Sequence, residues 1–175
     1  MPAAFAALRR LAAPAAAALF AVSLFAAVEA RADAHAEDRY EDYYYPPVTS
    51  EETFTRVIAA APPANAEIRV NFVTSVTKAQ LAAPENPRFA IFEKGGASDR
   101  LIMVALDDEV FRTIFRARAQ LSQITSNMRG TEFFRQQNLH VAGTMFDMLQ
   151  IMGFKSLVIS DGVSWSHLVR FEPNG

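Results

Sequence analysis

The sequence predicts an α+β fold, with an antiparallel sheet of five or six strands and two main helices packed on one face. Short runs with alternating or mostly apolar residues occur in both halves of the chain and predict the strands. Apolar residues at helical spacing between residues 116 and 152 predict the helices. The dipeptide Asp161-Gly162 between two apolar-rich runs is typical of a β-hairpin.

Four segments of the first half are predicted to be strands. Residues 53–57 alternate like a strand, although Ser50 followed by two glutamates also resembles the start of a helix. Residues 67–74 alternate apolar and polar side chains, which predicts a half-buried strand. Residues 89–93 and 101–106 are predicted to pair as a hairpin, because a glycine-containing turn joins them.

The second half is predicted to contain three helices. Apolar residues share one stripe of the helix 116–128, and Gly130 ends that helix. A short helix follows at 132–137. Residues 141–152 form the other main helix, which ends at Gly153.

Two strands at the end of the chain complete the predicted sheet. After a turn at 107–109, residues 110–115 are a further candidate strand that leads into the first helix of the second half. The chain closes with strands at 156–160 and 163–171. Asp161-Gly162 joins them in a predicted two-residue type I′ turn.

The N-terminal segment, residues 1–34, has the three parts of a secretory signal peptide. An arginine pair gives a positive start, residues 11–28 carry no charge, and small-residue cleavage sequences follow between Ala30 and Ala36. We expect the cut after Ala34 and export to the periplasm, by the general or the twin-arginine route. The alternative is an uncleaved anchor, because the uncharged run reaches the lower limit for a membrane-spanning helix.

The composition of the remaining chain excludes several classes of protein. Removal of the signal peptide changes the net charge from −2 to −3, because the signal contains three basic and two acidic residues. This balance argues against nucleic-acid binding, which clustered Lys and Arg residues drive. The chain has no cysteine, so neither a disulfide framework nor a cysteine-linked lipid is expected. We expect an extended acidic and aromatic lead-in at 35–50 and a single domain at 51–175, without stable membrane association.

No set of residues forms a catalytic or metal-binding motif. His35, His140 and His167 are widely separated and lie outside any H-x-H or H-x-x-x-H pattern, so no metal or other cofactor is expected. Ser164 and Ser166 are close to His167 in sequence, but strand alternation places both serines on the opposite face. We interpret these residues as solvent-facing strand residues.

Two groups are candidates for contacts with a ligand or a partner. Arg116 and Arg118 can hold an anion with bidentate geometry, or they can cover apolar surface with their stems while their charges stay in water. Tyr43, Tyr44 and Tyr45 precede two prolines and offer a large, rigid contact area. The alternative for the tyrosines is a strap that buries them against the domain's own surface.

Short motifs along the chain resemble those of a group of small exported bacterial proteins of unknown function. The motifs are Tyr-Tyr-Tyr-Pro-Pro at 43–47, Phe-Val-Thr at 72–74, Phe-Ala-Ile-Phe at 89–92, Phe-Arg-Ala-Arg-Ala at 115–119, Phe-Phe at 133–134 and Ile-Ser-Asp-Gly at 159–162. Some of these proteins carry the name molybdopterin-guanine dinucleotide biosynthesis protein. That name implies a cytoplasmic nucleotidyltransferase with a Gly-Gly loop after its first strand. The Gly-Gly pair of this chain, Gly95-Gly96, instead lies mid-chain between two predicted strands.

The sequence therefore predicts an exported, periplasmic, non-catalytic domain that binds a partner protein or a small anionic ligand. One alternative is an enzyme of molybdenum-cofactor nucleotide chemistry, as the resemblance implies. The other is an envelope accessory protein that an uncleaved signal retains at the membrane.

Overall fold

The computed structural model describes residues 45–56 and 65–172. The predicted signal peptide, most of the lead-in, and with them Tyr43 and Tyr44, lie outside the described residues. None of the described helices is both long and apolar enough to cross a membrane.

The described residues contain five strands and four helices, which confirms the predicted α+β class. In chain order they are β1 (Ser50–Phe54), α1 (Ala66–Ala82), β2 (Phe89–Lys94), β3 (Arg100–Ala105), α2 (Ile114–Met128), α3 (Glu132–Gln136), α4 (Met145–Ile151), β4 (Ser156–Ser160) and β5 (Ser166–Phe171). The strand at β1, the hairpin of β2 and β3, the helix α2 and the closing strands all occur where the sequence predicted them, within a few residues.

The sheet is mixed, so the prediction of an antiparallel sheet was wrong. Its strand order is β1-β5-β4-β3-β2. The pairs β2–β3 and β4–β5 are antiparallel, whereas β1–β5 and β3–β4 are parallel. Parallel neighbours need a long crossover connection, and the segment from α2 to α4 supplies one between β3 and β4. The apolar pattern of a short strand predicts how far it is buried but does not by itself fix the direction of its neighbour.

The main core lies between one face of the sheet and the helices. Buried residues of all four helices contact this face of β2 to β5: Val73, Ala117, Leu121, Phe134, Met145, Met148, Leu149 and Ile151. The opposite face has a smaller cluster made of Tyr45, Ile102 and Val158. We call these surfaces the helix face and the Tyr45 face. Two main helices were predicted on one face, and the structure places four there.

Residues 67–74 form the first half of α1, so the predicted strand at this position was wrong. The Asn65 side chain caps the helix, because its Oδ1 accepts a hydrogen bond from the Ile68 amide at 2.9 Å. Ile68 and Val70, which the alternation had placed on a buried face, are exposed. Arg69 and Val73 are buried instead, at helical spacing. Over a stretch this short, apolar residues at every second position fit the period of a helix as well as that of a strand.

Arg69 connects three parts of the fold. Its buried guanidinium donates hydrogen bonds to Ala97 O and Ser98 O in the β2–β3 turn, at 2.6 and 3.0 Å. It also donates to Met152 O and Gly153 O at the end of α4, at 3.2 and 3.3 Å. A cation stabilises the carboxyl end of a helix, and these carbonyls satisfy the buried charge. The sequence analysis did not single out this residue.

Residues 110–115 do not form the predicted strand. Val110 and Phe111 are buried in the main core from within a loop, and α2 begins at Ile114. Thr113 caps α2 through its side-chain oxygen, which accepts from the Arg116 amide at 3.3 Å. The apolar residues of this run are buried because the loop packs against the core. A buried loop and a buried strand have the same apolar pattern, so the sequence does not distinguish them.

The hairpin of β4 and β5 was predicted correctly, but its two-residue turn was not. Residues 161–165 lie between the strands, and Ser160 pairs with Ser166. The Asp161 carboxylate accepts hydrogen bonds from three loop amides, those of Val163, Ser164 and Trp165, at 2.8 to 2.9 Å. These bonds stabilise a longer loop than the Asp-Gly pair by itself indicates.

The second main helix is shorter than predicted. It begins at Met145, and Val141 is exposed. A reciprocal capping box fixes this start, because Thr144 and Asp147 each bond the other's backbone amide. The helix ends before Gly153, as predicted, and this glycine has a φ of +76°.

Candidate functional site

A cleft of about 590 Å³ opens between β1, α2 and α4. One side is apolar and is lined by Phe54, Leu121, Met145 and Phe146. The Phe54 and Phe146 rings meet edge to face with centroids 5.3 Å apart, which fixes the shape of this side. The other side is polar and is lined by Glu52, Arg118, Ser122, Ser126, Arg129 and Thr144. We call this cavity the β1–α2 cleft.

The charged residues of the cleft have a net positive balance. Arg118 NH2 lies 2.8 Å from Glu52 Oε2, so these two charges compensate each other. Arg129 donates only to Gly143 O, at 3.3 to 3.4 Å, and no described carboxylate lies within 4.0 Å of it. The cleft therefore has one guanidinium in excess. Both arginines are exposed and can reorient toward a ligand.

The base of the cleft is held by buried polar contacts. Thr125 Oγ1 donates to Leu121 O at 2.8 Å and accepts from the Met145 amide at 3.1 Å, which joins α2 to α4. Asp147, in the first turn of α4, is fully buried, and its Oδ2 lies 2.9 Å from Arg56 Nη1. These contacts connect the two helices with the end of β1, so the walls of the cleft keep a fixed spacing.

A polar triplet lies next to the cleft, at the start of β1. Ser50 Oγ lies 2.9 Å from His167 Nδ1, and His167 Nε2 lies 3.4 Å from Glu52 Oε1. His167 is only 4 % exposed, and the Trp165 ring stacks nearly parallel to its imidazole with centroids 6.1 Å apart. Ser50 is exposed. Glu52 is common to this triplet and to the cleft.

This triplet was not predicted from the sequence. Strand alternation correctly placed His167 on the face opposite Ser166, whose hydroxyl donates to Pro46 O on the Tyr45 face. The interpretation of both residues as solvent-facing was wrong, because Ser166 and His167 are buried. Ser50 and Glu52 are more than a hundred residues from His167 in sequence. The parallel pairing of β1 with β5 brings them together, and no local signal indicates it.

The residues proposed from the sequence as ligand contacts lie at three separate places. Arg118 lines the β1–α2 cleft. Arg116 pairs with Glu109 in the loop before α2, outside the cleft lining. Tyr45 is buried on the Tyr45 face, and Tyr43 and Tyr44 lie outside the described residues. Of these five residues, the described structure places only Arg118 in the cleft.

A second cavity of about 430 Å³ lies between α1 and α2. Its lining is mainly apolar, with Phe72, Val76, Ile124 and Met128 on the helices and Met103 on the sheet. Met145 borders both cavities. The two cavities differ in net charge, because the first is lined by Glu52, Arg118 and Arg129 and the second by one acidic and one basic residue, Glu85 and Arg88.

Within residues 45–56 and 65–172, no group of three or more His, Cys, Asp or Glu side chains is arranged to hold a metal ion. His140 is exposed and does not join His167 at a common site. Comparison with known proteins returned no matching family model, no matching curated protein and no matching solved structure.

Proposed function

We propose that this domain binds a small amphipathic anion in the β1–α2 cleft, and that it does so in the periplasm after export. The cleft carries the proposal, because it combines an apolar side with an uncompensated guanidinium. Its volume of about 590 Å³ is within the range of small-molecule sites, about 300–1,000 Å³. The periplasmic location rests on the signal peptide that the sequence predicts.

The charge pattern favours a carboxylate or a similar acid as the polar end of the ligand. Arg129 has no acidic partner among the described residues, and its guanidinium can form two parallel hydrogen bonds with a carboxylate. Arg118 lies on α2, about three turns before Arg129, which is the C-cap residue of that helix, and Arg118 shares its charge with Glu52. Ser122 and Ser126 add hydroxyl donors between the two arginines.

The apolar side of the cleft favours a ligand with a compact hydrophobic body. Phe54 and Phe146 form a rigid aromatic wall, and Leu121 and Met145 extend it toward the core. Burial of an apolar body against this wall contributes about 25 cal/mol per Å². A fully hydrophilic anion gains nothing from it. Binding of a small molecule is therefore favoured over a flat protein contact at this site.

The test uses 8-anilinonaphthalene-1-sulfonate, an amphipathic anion whose fluorescence rises in apolar sites, titrated into the purified mature protein. Arg129→Gln is expected to weaken its binding by at least about 10-fold, because a charge-assisted hydrogen bond contributes about 1.5–3 kcal/mol. Arg116→Gln is the matched control, since Arg116 lies on the helix that Arg129 caps but pairs with Glu109 outside the cleft. Octanoate should displace the dye, and octanol should do so more weakly.

Glu52→Gln gives a test with the opposite sign. Removal of the Glu52 charge frees Arg118, so binding of the dye is expected to become tighter. Near-ultraviolet circular dichroism of each variant excludes partial unfolding as the source of fluorescence. Equal affinities for the wild type, Arg129→Gln and Glu52→Gln would refute the cleft as the anion site.

A further inference from the structure

The triplet of Ser50, His167 and Glu52 has the order of a nucleophile, a base and an orienting carboxylate. Ser50 Oγ and His167 Nδ1 are 2.9 Å apart, within hydrogen-bond reach. His167 Nε2 faces Glu52 Oε1 at 3.4 Å, an ion-pair distance, but it makes no hydrogen bond to any described residue. A buried polar atom without a hydrogen bond is rare in folded proteins and calls for an explanation.

The tautomer of His167 follows from its two neighbours. A carboxylate only accepts, so the favourable neutral form carries its proton on Nε2, toward Glu52. Nδ1 then holds a lone pair and accepts the Ser50 hydroxyl proton. General-base activation of a serine requires this arrangement, in which the imidazole nitrogen that faces the hydroxyl holds a lone pair. Catalytic hydrogen bonds are often long before substrate binds, which accounts for the 3.4 Å contact at Nε2.

We propose that Ser50 is a nucleophile for acyl transfer from small carboxylic esters, with His167 as its general base and Glu52 as the positioning residue. The nucleophile is exposed, whereas the base is buried against Trp165, so an ester can reach Ser50 while His167 keeps its orientation. The inference goes beyond the proposed binding function and does not depend on it.

The reaction balances with water as the second substrate. Ser50 Oγ forms a bond to the ester carbonyl carbon as its proton moves to His167 Nδ1, and the carbonyl π electrons move onto oxygen. Collapse of this adduct breaks the bond to the alcohol oxygen, which leaves with the proton from Nδ1. Water then attacks the acyl-serine with the same proton transfers, which releases the carboxylic acid and restores Ser50.

The position of β1 also bears on the substrate. β1 is an edge strand, and Phe54 O accepts a hydrogen bond from Glu172 N just after its neighbour β5. Because backbone groups alternate in direction along a strand, the Ser50 amide faces β5 and the Glu51 amide faces the open edge, where it can donate to the developing oxyanion. Glu52 lines the β1–α2 cleft, so an acyl chain can extend from Ser50 toward its apolar side. This favours esters with a short apolar acyl group.

The chain has no cysteine, so Ser50→Cys introduces a single thiol whose reactivity reports on His167. A thiol paired with an imidazole forms a thiolate well below its ordinary pKa of about 8.5. Alkylation by iodoacetamide at pH 6 is expected to be at least about 10-fold faster in Ser50→Cys than in Ser75→Cys. Ser75 is an exposed residue of α1 and is the matched control.

Two further variants separate activation from structure. Ser50→Cys combined with His167→Gln should lose the fast alkylation at pH 6. In Ser50→Cys combined with Glu52→Gln, the pH dependence of the alkylation rate should lie between those of Ser50→Cys and Ser75→Cys. If His167→Gln unfolds the protein, the pH profiles of alkylation for the single Ser50→Cys and Ser75→Cys variants still test whether His167 activates residue 50. A Ser50→Cys profile that coincides with the Ser75→Cys profile overturns the proposal.

Ester turnover completes the test with the native serine. The wild-type protein is expected to hydrolyse p-nitrophenyl butyrate and to form an acyl adduct that mass spectrometry assigns to Ser50. Ser50→Ala should lose the turnover and the adduct, and Ser75→Ala should retain both. Equal turnover in Ser50→Ala and the wild type, or no turnover in either, overturns the proposal. The dye-binding result at Arg129 is independent of all these outcomes.

Discussion

The two faces of the sheet are stabilised in different ways. On the helix face, side chains from all four helices pack against the strands in one continuous core. On the Tyr45 face, the buried cluster has three members among the described residues, Tyr45, Ile102 and Val158, and partly buried residues surround them. The first core draws on every helix, whereas the second depends on one aromatic residue from the segment before β1.

Specific hydrogen bonds hold that segment in place. Ser166 Oγ lies 2.9 Å from Pro46 O and 3.0 Å from Pro47 O, and Thr49 Oγ1 donates to Ser166 O at 2.6 Å. The segment and β5 are therefore joined beside Tyr45. A sheet face on which none of the described helices packs can therefore be covered by a short segment, provided that polar contacts fix the position of that segment. The burial of Tyr45 agrees with the strap alternative from the sequence.

The largest effect is expected on the helix face. Phe134 is fully buried at the centre of the main core. Phe134→Ala should lower the free energy of unfolding by about 3–5 kcal/mol, because it removes apolar contacts and leaves a cavity. Phe115→Ala, with a ring that is 79 % exposed, is the matched control and should change it by less than about 0.5 kcal/mol. Urea denaturation measures both.

The next effect tests the Tyr45 face. Tyr45→Ala should lower the free energy of unfolding by about 2–3 kcal/mol through lost apolar burial, and Tyr45→Phe by no more than about 1.5 kcal/mol. Deletion of residues 35–47 should cost at least as much as Tyr45→Ala. An unchanged melting temperature after this deletion would show that the segment does not stabilise the domain, and would favour the recognition role of the tyrosines.

A smaller effect is expected at Gly162, where the β4–β5 loop meets the Tyr45 face. Gly162 has a φ of +77°, and a Cβ atom there would lie 3.0 Å from Val104 Cγ1. Gly162→Ala should therefore cost about 1–2 kcal/mol. Gly130→Ala is the matched control, because Gly130 has open space and no positive φ. Equal melting temperatures of the two variants would contradict the crowding at the Tyr45 face.

The smallest effect depends on pH. Partial burial acts to raise the pKa of Asp161, but hydrogen bonds from the amides of Trp165, Val163 and Ser164 and from the Ser164 hydroxyl outweigh it and lower that pKa below its ordinary value. A lowered folded-state pKa contributes stability above the unfolded value of about 3.9, and this stability is lost as pH falls through the folded value.

Asp161→Asn tests this dependence. It should lower the free energy of unfolding by about 1 kcal/mol at pH 7, and the difference from the wild type should shrink below pH 4. Melting curves from pH 2 to 7 provide the measurement, and Asp108→Asn, in an exposed loop, is the control. A difference that stays constant across this range would contradict the role of the ionised carboxylate in the loop.

Much of the secondary structure could be predicted because its signals are local. The helix 116–128 has an apolar stripe and a cap, and the strands of both hairpins have apolar runs on each side of a turn. Two segments were predicted wrongly for a shared reason. Residues 67–74 and 110–115 have apolar residues at a spacing that fits a strand, but their burial comes from a helix and from a loop.

The candidate site was less predictable than the fold. Arg118 was identified from its position at a helix start, but its partner Glu52 is 66 residues away. Arg129, Arg69 and His167 carry no motif, and their importance depends on which groups the fold places beside them. Single polar residues have no periodicity, so a sequence pattern does not reveal their neighbours.

The α+β class and the positions of most strands and of helix α2 follow from local sequence patterns, because periodicity and turn residues act over a few neighbours along the chain. The absence of disulfide bonds follows from the absence of cysteine. The mixed direction of the sheet, the burial of Arg69 and the contact of Ser50 with His167 follow from the three-dimensional fold. Those features depend on contacts between residues far apart in the chain, where the free energy of packing the whole domain selects one arrangement.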